Sequence, residues 1–314
     1  MKTAVGKITR DDICTHSLVP YIFDEGHFKT KQEILDGCIR ARAGENIRTS
    51  QTLRQRTGDI LEKPLIEEAM IRLGINDVEL EIKEKVVHPF LPLEGSLDGL
   101  CFADNIKVVP NEDNGVYVIG SSELLLNGNI PIEVKCTSQY PTEEPPAWLG
   151  VLQLKAAMST MQSNTGILII LYQSTDLRIY IYGRDHEFDK ELEKRVIDFD
   201  RRITEKDYYT PHITKDAYVK YPDAIPETRI LPEDTEDFIK QLETTKEMIK
   251  KLQDTSESLQ AQIMDRMGNA EEGRIGDYKV VWKMRKFKAQ PEKVIPPKDA
   301  YEIRSKTLTI KKGK

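Results

Sequence analysis

The run GILIILYQ, Gly166 to Gln173, is almost wholly apolar, and a short STD turn joins it to LRIYIY, Leu177 to Tyr182. Two apolar runs set this close together read as a hairpin. A strand that is apolar at nearly every position has no side to offer to water. It must be central in a sheet and covered on both faces. That requirement confines the chain to layered α/β architectures, with helices on either side of the sheet.

The remaining pattern supplies the layers. Leu53 to Leu73 reads as a helix, with Leu61, Leu65, Ala69 and Leu73 at four-residue steps, Pro64 near its early turns and Gly74 as its stop. Val78 to Val87 alternates as a strand with Val78, Leu80, Ile82 and Val86 inward. Leu93 to Phe102, Val116 to Ser121 and Ile130 to Thr137 are further strands, with NEDNG and NGN as turns. Ala147 to Gln162, AWLGVLQLKAAMSTMQ, reads as a second helix. This order predicts an α/β core built on a central mixed sheet flanked by helices.

A proline-rich stretch, TPHITKDAYVKYPDAIPETRILPEDTED, reads as a long surface connection. Beyond it, Glu233 to Met267 is a long helix. Phe238, Leu242, Thr245, Ile249, Leu252, Ser256, Leu259 and Ile263 step by alternating four and three, a heptad seam with two small polar members. Packing of this helix on its own domain is expected, in preference to an intermolecular coiled coil. Tyr278 to Trp282 and two more strands are expected in the basic tail. The division expected is 1–230 for the α/β domain with its N-terminal helical region, and 231–314 for the long helix and the β-containing tail.

Composition excludes several classes. No apolar run approaches the ~20 residues that cross a bilayer, and MKTAVGKITRDDI lacks the apolar stretch of a signal peptide, so a cytoplasmic location and no membrane partner are expected. The four cysteines, Cys14, Cys38, Cys101 and Cys136, form no CxxC pair, which argues against a zinc ribbon, an iron–sulfur cluster or a disulfide framework. No G-x-x-x-x-G-K-[ST] loop occurs, so no nucleotide cofactor is expected. The net charge is −6, but it is unevenly spread. Ile39 to Arg56 holds five arginines and one acid, and the residues from Arg274 onward hold 13 Lys and Arg against 4 Asp and Glu. Two basic regions in an acidic chain suggest a phosphate-binding surface, with Arg48, Arg54, Arg56, Lys283, Arg285 and Lys286 as candidates.

The strand IPIEVKCT places Glu133 and Lys135 on one face and Val134 on the other. A solvent-facing ion pair on an edge strand would explain that alone. Three further polar residues accompany it: Asp98 within GSLDGL, where a strand disfavours Asp, Glu62 beside the apolar face of the first helix, and Gln153 between Leu152 and Leu154 in the second.

GDILEKPLIEEA, GSLDGL, IPIEVK and QLKAAM, in this order, resemble the successive motifs of PD-(D/E)xK nucleases, and among them the phage recombination exonucleases of the YqaJ and lambda-exonuclease type. The resemblance covers about Gly58 to Gly183 and extends loosely to the long helix and the basic finish. It implies a restriction-endonuclease-like core with a helical, basic C-terminal extension. The wide spacing between Asp98 and Glu133 then predicts an inserted β-ribbon over Asp104 to Asn129. The implied activity is metal-dependent, ATP-independent exonuclease hydrolysis of phosphodiester bonds at double-stranded DNA ends in the 5′-to-3′ direction. A ring-shaped homo-trimer and a single-strand annealing partner are implied as well, in the host cytoplasm if the chain is phage-encoded. A structure-specific or restriction-like endonuclease and a DNA-end-binding scaffold without turnover are the alternatives.

Such hydrolysis needs a hard divalent cation, Mg²⁺ with Mn²⁺ as substitute, held by oxygen ligands. Asp98 and Glu133 suit that role, and the backbone carbonyl of Val134 is a further candidate ligand. Lys135 would orient the attacking water, stabilise negative charge or act as base. Glu62 would hold a water or a second metal from the helix side. The resemblance gives Gln153 a part in positioning water or substrate. Cys136, facing away from Lys135, is expected in the core.

Overall fold

The computed structural model describes residues 9–80, 82 and 84–284. The apolar hairpin is central, as its composition requires. β8 (Thr165–Tyr172) is buried at almost every position and pairs antiparallel with β9 (Asp176–Gly183). Gln173 and Ser174 both take positive φ in the turn between them, which matches the right-handed twist of the two strands.

The sheet has six strands in the order β2-β5-β7-β8-β9-β6. Its other members are β2 (Asp77–Leu80), β5 (Gly99–Val108), β6 (Val116–Ile119) and β7 (Leu124–Thr137). Pairing is antiparallel from β2 to β5 and from β5 to β7, parallel from β7 to β8, and parallel again where β6 closes the far edge against β9. The sheet is therefore mixed. β1 (Cys14–Thr15), β3 (Val86–Val87) and β4 (Leu93–Gly95) form a separate small sheet.

Helices cover both faces. α3 (Leu53–Leu73) lays Leu65, Ile66, Ala69, Met70 and Leu73 on the face that carries Ile130, Ile132 and Val134. Its ends follow from sequence: Thr52 and Gln55 form a capping box, and Gly74 ends it at φ 68°. On the opposite face, α4 (Leu152–Met161) sets Leu154 and Met158 against Leu168 and Ile170. Its outer side, Leu152 and Ala156, meets a further layer made by α1 (Val19–Ile22), α2 (Lys31–Arg42) and α5 (His186–Glu205). Burial on two sides explains why α4 is rich in small and apolar residues.

Several expectations are corrected. Val78 to Val87 is not one strand: β2 belongs to the main sheet and β3 to the small one. Leu93 to Phe102 likewise divides into β4 and β5, and Asp98 lies in the link just before β5, not mid-strand. NGN is not a turn; it lies inside β7, with Gly128 at φ 80° opposite Ala103, where the register shifts. β5 and β7 do extend as a ribbon to Val108 and Leu124, but β6, between them in sequence, crosses to the far edge. Ala147 to Gln162 is broken: a wide π turn, Ala147–Val151, with non-helical Leu149 and Gly150, precedes α4. The proline-rich connection contains a helix, α6 (Thr214–Lys220).

The chain divides into two compact units, Met1–Tyr221 and Pro222–Lys314. The second contains α7 (Thr235–Met267) and the hairpin of β10 (Glu272–Ile275) and β11 (Tyr278–Val281). Among the described residues none of the α7 side chains is buried, so the packing expected of this helix is not seen within them. The two further tail strands expected from sequence lie outside the described residues. Among the described residues no helix is long and apolar enough to cross a membrane.

Candidate active site

The register of the sheet brings the two strand carboxylates together. Gly99 pairs with Ile132, so one step further Asp98 meets Glu133. The Val134 N–H donates to Asp98 Oδ2 at 2.8 Å across 36 positions of sequence. Beyond Ile132 the strand β7 runs parallel to β8, with Glu133 beside Leu168 and Lys135 beside Ile170. Glu133 is 3% exposed. The Lys135 ammonium is ion-paired directly to Glu133 Oε1. A solvent-facing edge pair is therefore excluded.

Burial makes the group electrostatically tense. Glu133 is pushed up to about 8, first by desolvation and then by the charge of Asp98. Glu62 on α3 is pushed up to about 7, first by burial, then by Asp98 and by Asp59. Burial also raises Asp98, against the opposing pull of Lys135 and the Val134 N–H. Desolvation opposes the Lys135 ammonium, yet Glu133 and Asp98 together outweigh it and the pKa ends raised. The charges of three carboxylates, Glu133, Asp98 and Glu62, thus act on one ammonium in a region poor in solvent. This excess of negative charge with oxygen donors fits a hard divalent cation. Among the described residues no three His, Cys, Asp or Glu side chains stand close enough to hold a metal by themselves. A pair of carboxylates completed by water and phosphate oxygens is the arrangement that a Mg²⁺ ion commonly takes.

Two residues of the site escape the sequence reading. Asp59 lies one turn before Glu62 on α3 and adds to the negative field on both Glu62 and Asp98. The (i, i+3) spacing of two acids on one helix was its signal. Gly150 lies in the π turn at φ +91°. A Cβ there would stand 2.7 Å from Leu168 Cδ1, 3.1 Å from Lys135 Cγ and 3.5 Å from Glu133 Cγ. The backbone of the turn therefore lies directly on the stems of the ion pair. An isolated glycine in a helical pattern was the visible sign.

The other candidates fall out as follows. Gln153 is half-buried in the first turn of α4, three residues after Gly150. Val134 has its side chain in the core and its N–H on Asp98. Cys136 is exposed, not a core residue as expected, because β7 reaches its end there and leaves that face uncovered. Arg48 is ion-paired with Asp11 at 2.5 Å and also donates to the Thr9 carbonyl. Arg40 and Arg42 are likewise held, by Glu45 and by Asp200. Arg54 and Arg56 stand exposed in the first turns of α3, with no ion pair among the described residues. At about 1.5 Å per residue they lie roughly 9–12 Å along the axis from Glu62. Lys283, in the second unit, is 3.7 Å from Glu272. Arg285 and Lys286 lie outside the described residues.

No family model and no curated protein matches the chain. Among solved structures it is similar to LHK-Exo in complex with dAMP, at 17% identity over 63% of this chain and 90% of that one, with a TM-score of 0.46. It is similar to an alkaline exonuclease, LHK-Exo, from Laribacter hongkongensis, at 16% identity over 63% and 90%, TM-score 0.45. A phage-related exonuclease from Haemophilus somnus 129PT gives 14% identity over 62% and 96%, TM-score 0.39. Likenesses this distant carry no functional argument.

Proposed function

We propose that the chain is a metal-dependent deoxyribonuclease of the PD-(D/E)xK type that hydrolyses phosphodiester bonds at the ends of duplex DNA without ATP. One observation carries the reading: Asp98, Glu133 and Lys135 meet where β5 and β7 come together, within the electrostatic reach of Glu62 on α3. A buried carboxylate pair with an adjoining ammonium has little structural reason to exist, because apolar residues of similar volume would stabilise such a position as well or better.

Asp98 and Glu133 would hold a divalent cation, with the Val134 carbonyl as a further donor. When bound, such a cation neutralises phosphate charge and acidifies a water. Lys135 has its raised pKa in favour of the ammonium. It would orient the water, stabilise charge on the phosphate, or act as base once a cation on Asp98 and Glu133 offsets the carboxylate charges that raise its pKa. The pairing with Glu133 fixes where its charge points. Glu62 is set to accept a hydrogen bond from water on the α3 side. Arg54 and Arg56 would bind the backbone phosphates further along the duplex.

The preference for ends, the 5′-to-3′ direction, a trimeric ring and an annealing partner rest on the motif resemblance. The test uses linear and covalently closed duplex with Mg²⁺ and no ATP. Linear DNA should be converted to acid-soluble nucleotides while circles persist. Nicking of circles with discrete fragments from the linear form would establish an endonuclease instead. End binding with no hydrolysis of either substrate would make the chain a scaffold and overturn the proposal.

A further inference from the structure

Phe28 lies on the loop between α1 and α2 and is 72% exposed. Single exposed apolar side chains are ordinary, but this one belongs to a group. Its ring stands edge-on to His27, with centroids 5.0 Å apart, and edge-on to Trp148, 6.0 Å away. His27 and Trp148 are themselves stacked, 4.4 Å apart and within 9° of parallel. His27 is exposed and Trp148 half-buried. The three rings therefore form one aromatic group at the surface, and little of Phe28 is used in packing.

The group adjoins the candidate active site. Trp148 is in the π turn, two residues before Gly150, so their Cα atoms are at most about 7.6 Å apart. Gly150 is the residue whose backbone lies on the stems of Glu133 and Lys135. Trp148 also packs against the cluster that holds Leu168 and Ile170, the strand neighbours of Glu133 and Lys135. Paired residues of adjacent strands share a face of the sheet, so Trp148 lies on the face from which Lys135 projects. The loop that brings Phe28 to it is fixed. Asp24 pairs with Lys31 at 3.3 Å and with Arg195 at 3.1 Å. A Cβ at Gly26 would stand 2.1 Å from Tyr21 Cδ1, so the backbone there lies on that ring. The capping box of Thr30 and Glu33 holds the far end of the loop. A ring held this way loses little freedom when it meets a ligand.

The neighbours say what the ligand is. A flat, exposed π face takes another flat π face, and every nucleobase has one whatever its identity. Lys29, next to Phe28, is exposed and makes no ion pair among the described residues, which leaves a cation for the phosphate that a base carries with it. Inside a duplex each base is already stacked on both sides and has no face to give. Only a terminal or unpaired base does. We propose, resting on the nuclease reading above, that Phe28, supported by Trp148 and His27, stacks on the base of a terminal nucleotide and so holds a duplex end beside Asp98, Glu133 and Lys135. A closed circle has no such base, which gives the preference for ends a physical cause.

The test is a double-mutant cycle in which one member of the pair is on the DNA. Binding is measured in EDTA, where nothing is cut, with the full chain and with Phe28→Ala. The probes are a blunt duplex and the same duplex with an abasic tetrahydrofuran in place of the 5′-terminal or, separately, the 3′-terminal nucleotide. A base stacked on an aromatic ring contributes about 5- to 150-fold in affinity. The wild type should lose about this factor when the base is missing at one of the two termini. Phe28→Ala should lose it on the intact duplex and little more on that abasic one. Phe28→Trp should bind both as the wild type does. An abasic site ten base pairs inward should cost the two chains the same. Melting temperatures should agree among the three chains, because Phe28 is 72% exposed. Losses that multiply at both termini, a Phe28→Ala chain that binds the intact duplex like the wild type, or a Phe28→Trp chain that behaves like Phe28→Ala overturns the proposal. Failure of the nuclease reading shows differently, as linear duplex left whole in Mg²⁺, whereas the cycle is read without hydrolysis.

Discussion

Glu133 is held at the centre of the sheet with Asp98 opposite and Lys135 on its carboxylate. Its pKa, about 8, lies above the unfolded value of 4.5, and that of Glu62 is about 7. The folded chain therefore binds protons that the unfolded chain has released. This contribution to stability is complete below 4.5 and is lost as pH rises through about 7 to 8. In EDTA the melting temperature of the first unit should fall across that window. Glu133→Gln should flatten the fall by removing the charge while keeping the shape. A divalent cation should reverse it in the wild type, by about 2.7 kcal/mol at a hundredfold excess over Kd, and much less in Asp98→Asn or Glu133→Gln. Calorimetry at several pH values reads all of this without substrate, and a melting temperature indifferent to the cation would remove Asp98 and Glu133 as its ligands. In cleavage, Lys135→Ala should lower kcat by about 10²–10⁴-fold. Its combination with Glu133→Gln should cost little more if, as proposed, both act on one water and one phosphate. Full additivity would separate their roles.

At the scale of elements, what the sequence made legible depended on how local its cause is. α3 is found at both ends, because the four-residue apolar steps lie within it and its stop, Gly74, follows it directly. The β8–β9 hairpin is found for the same reason. The split of Leu93 to Phe102 between two sheets has no local cause: β4 pairs with residues near the N-terminus and β5 with β7. The Asp98–Glu133 meeting was expected from motif resemblance, but its geometric cause, the register of β5 on β7, is a tertiary fact. The break before α4 was missed because AWLGVLQLKAAM has the composition of an unbroken helix. The contact that forces it, Gly150 on the stems of Glu133 and Lys135, comes from a distant strand. A side chain at Gly150 meets both a disfavoured φ and an occupied space. Gly150→Ala should therefore cost about 1–3 kcal/mol of stability. By displacing the ion pair it should also lower kcat by up to about 10²-fold. A drop in melting temperature with kcat unchanged would show that the turn supports the fold and not the position of Lys135.

The whole molecule carries a net charge of −6, so the proposed approach to DNA would depend on where its uncompensated cations lie. Three arginines of the first basic region, Arg40, Arg42 and Arg48, are already matched by Glu45, Asp200 and Asp11. Arg54 and Arg56 remain there, on the helix that carries Glu62. The other source is the C-terminal sequence from Arg274 onward, with 13 Lys and Arg against 4 Asp and Glu. If both sources bind phosphates, affinity should fall with salt, and each contact contributes about 0.9 to the slope of log K against log salt. Arg54→Ala and Arg56→Ala should each flatten the slope by about one. Ending the chain at Met267 should flatten it by several. In contrast, kcat at saturating DNA should hold in the truncated chain, since Glu62, Asp98, Glu133 and Lys135 all belong to the first unit. Binding measured at four or more salt concentrations, with single-turnover cleavage beside it, separates the two quantities. A slope unchanged by truncation would mean that the C-terminal cations do not meet DNA. A truncated chain that binds with the original slope but cleaves poorly would instead give the second unit a part in presenting the substrate to the metal.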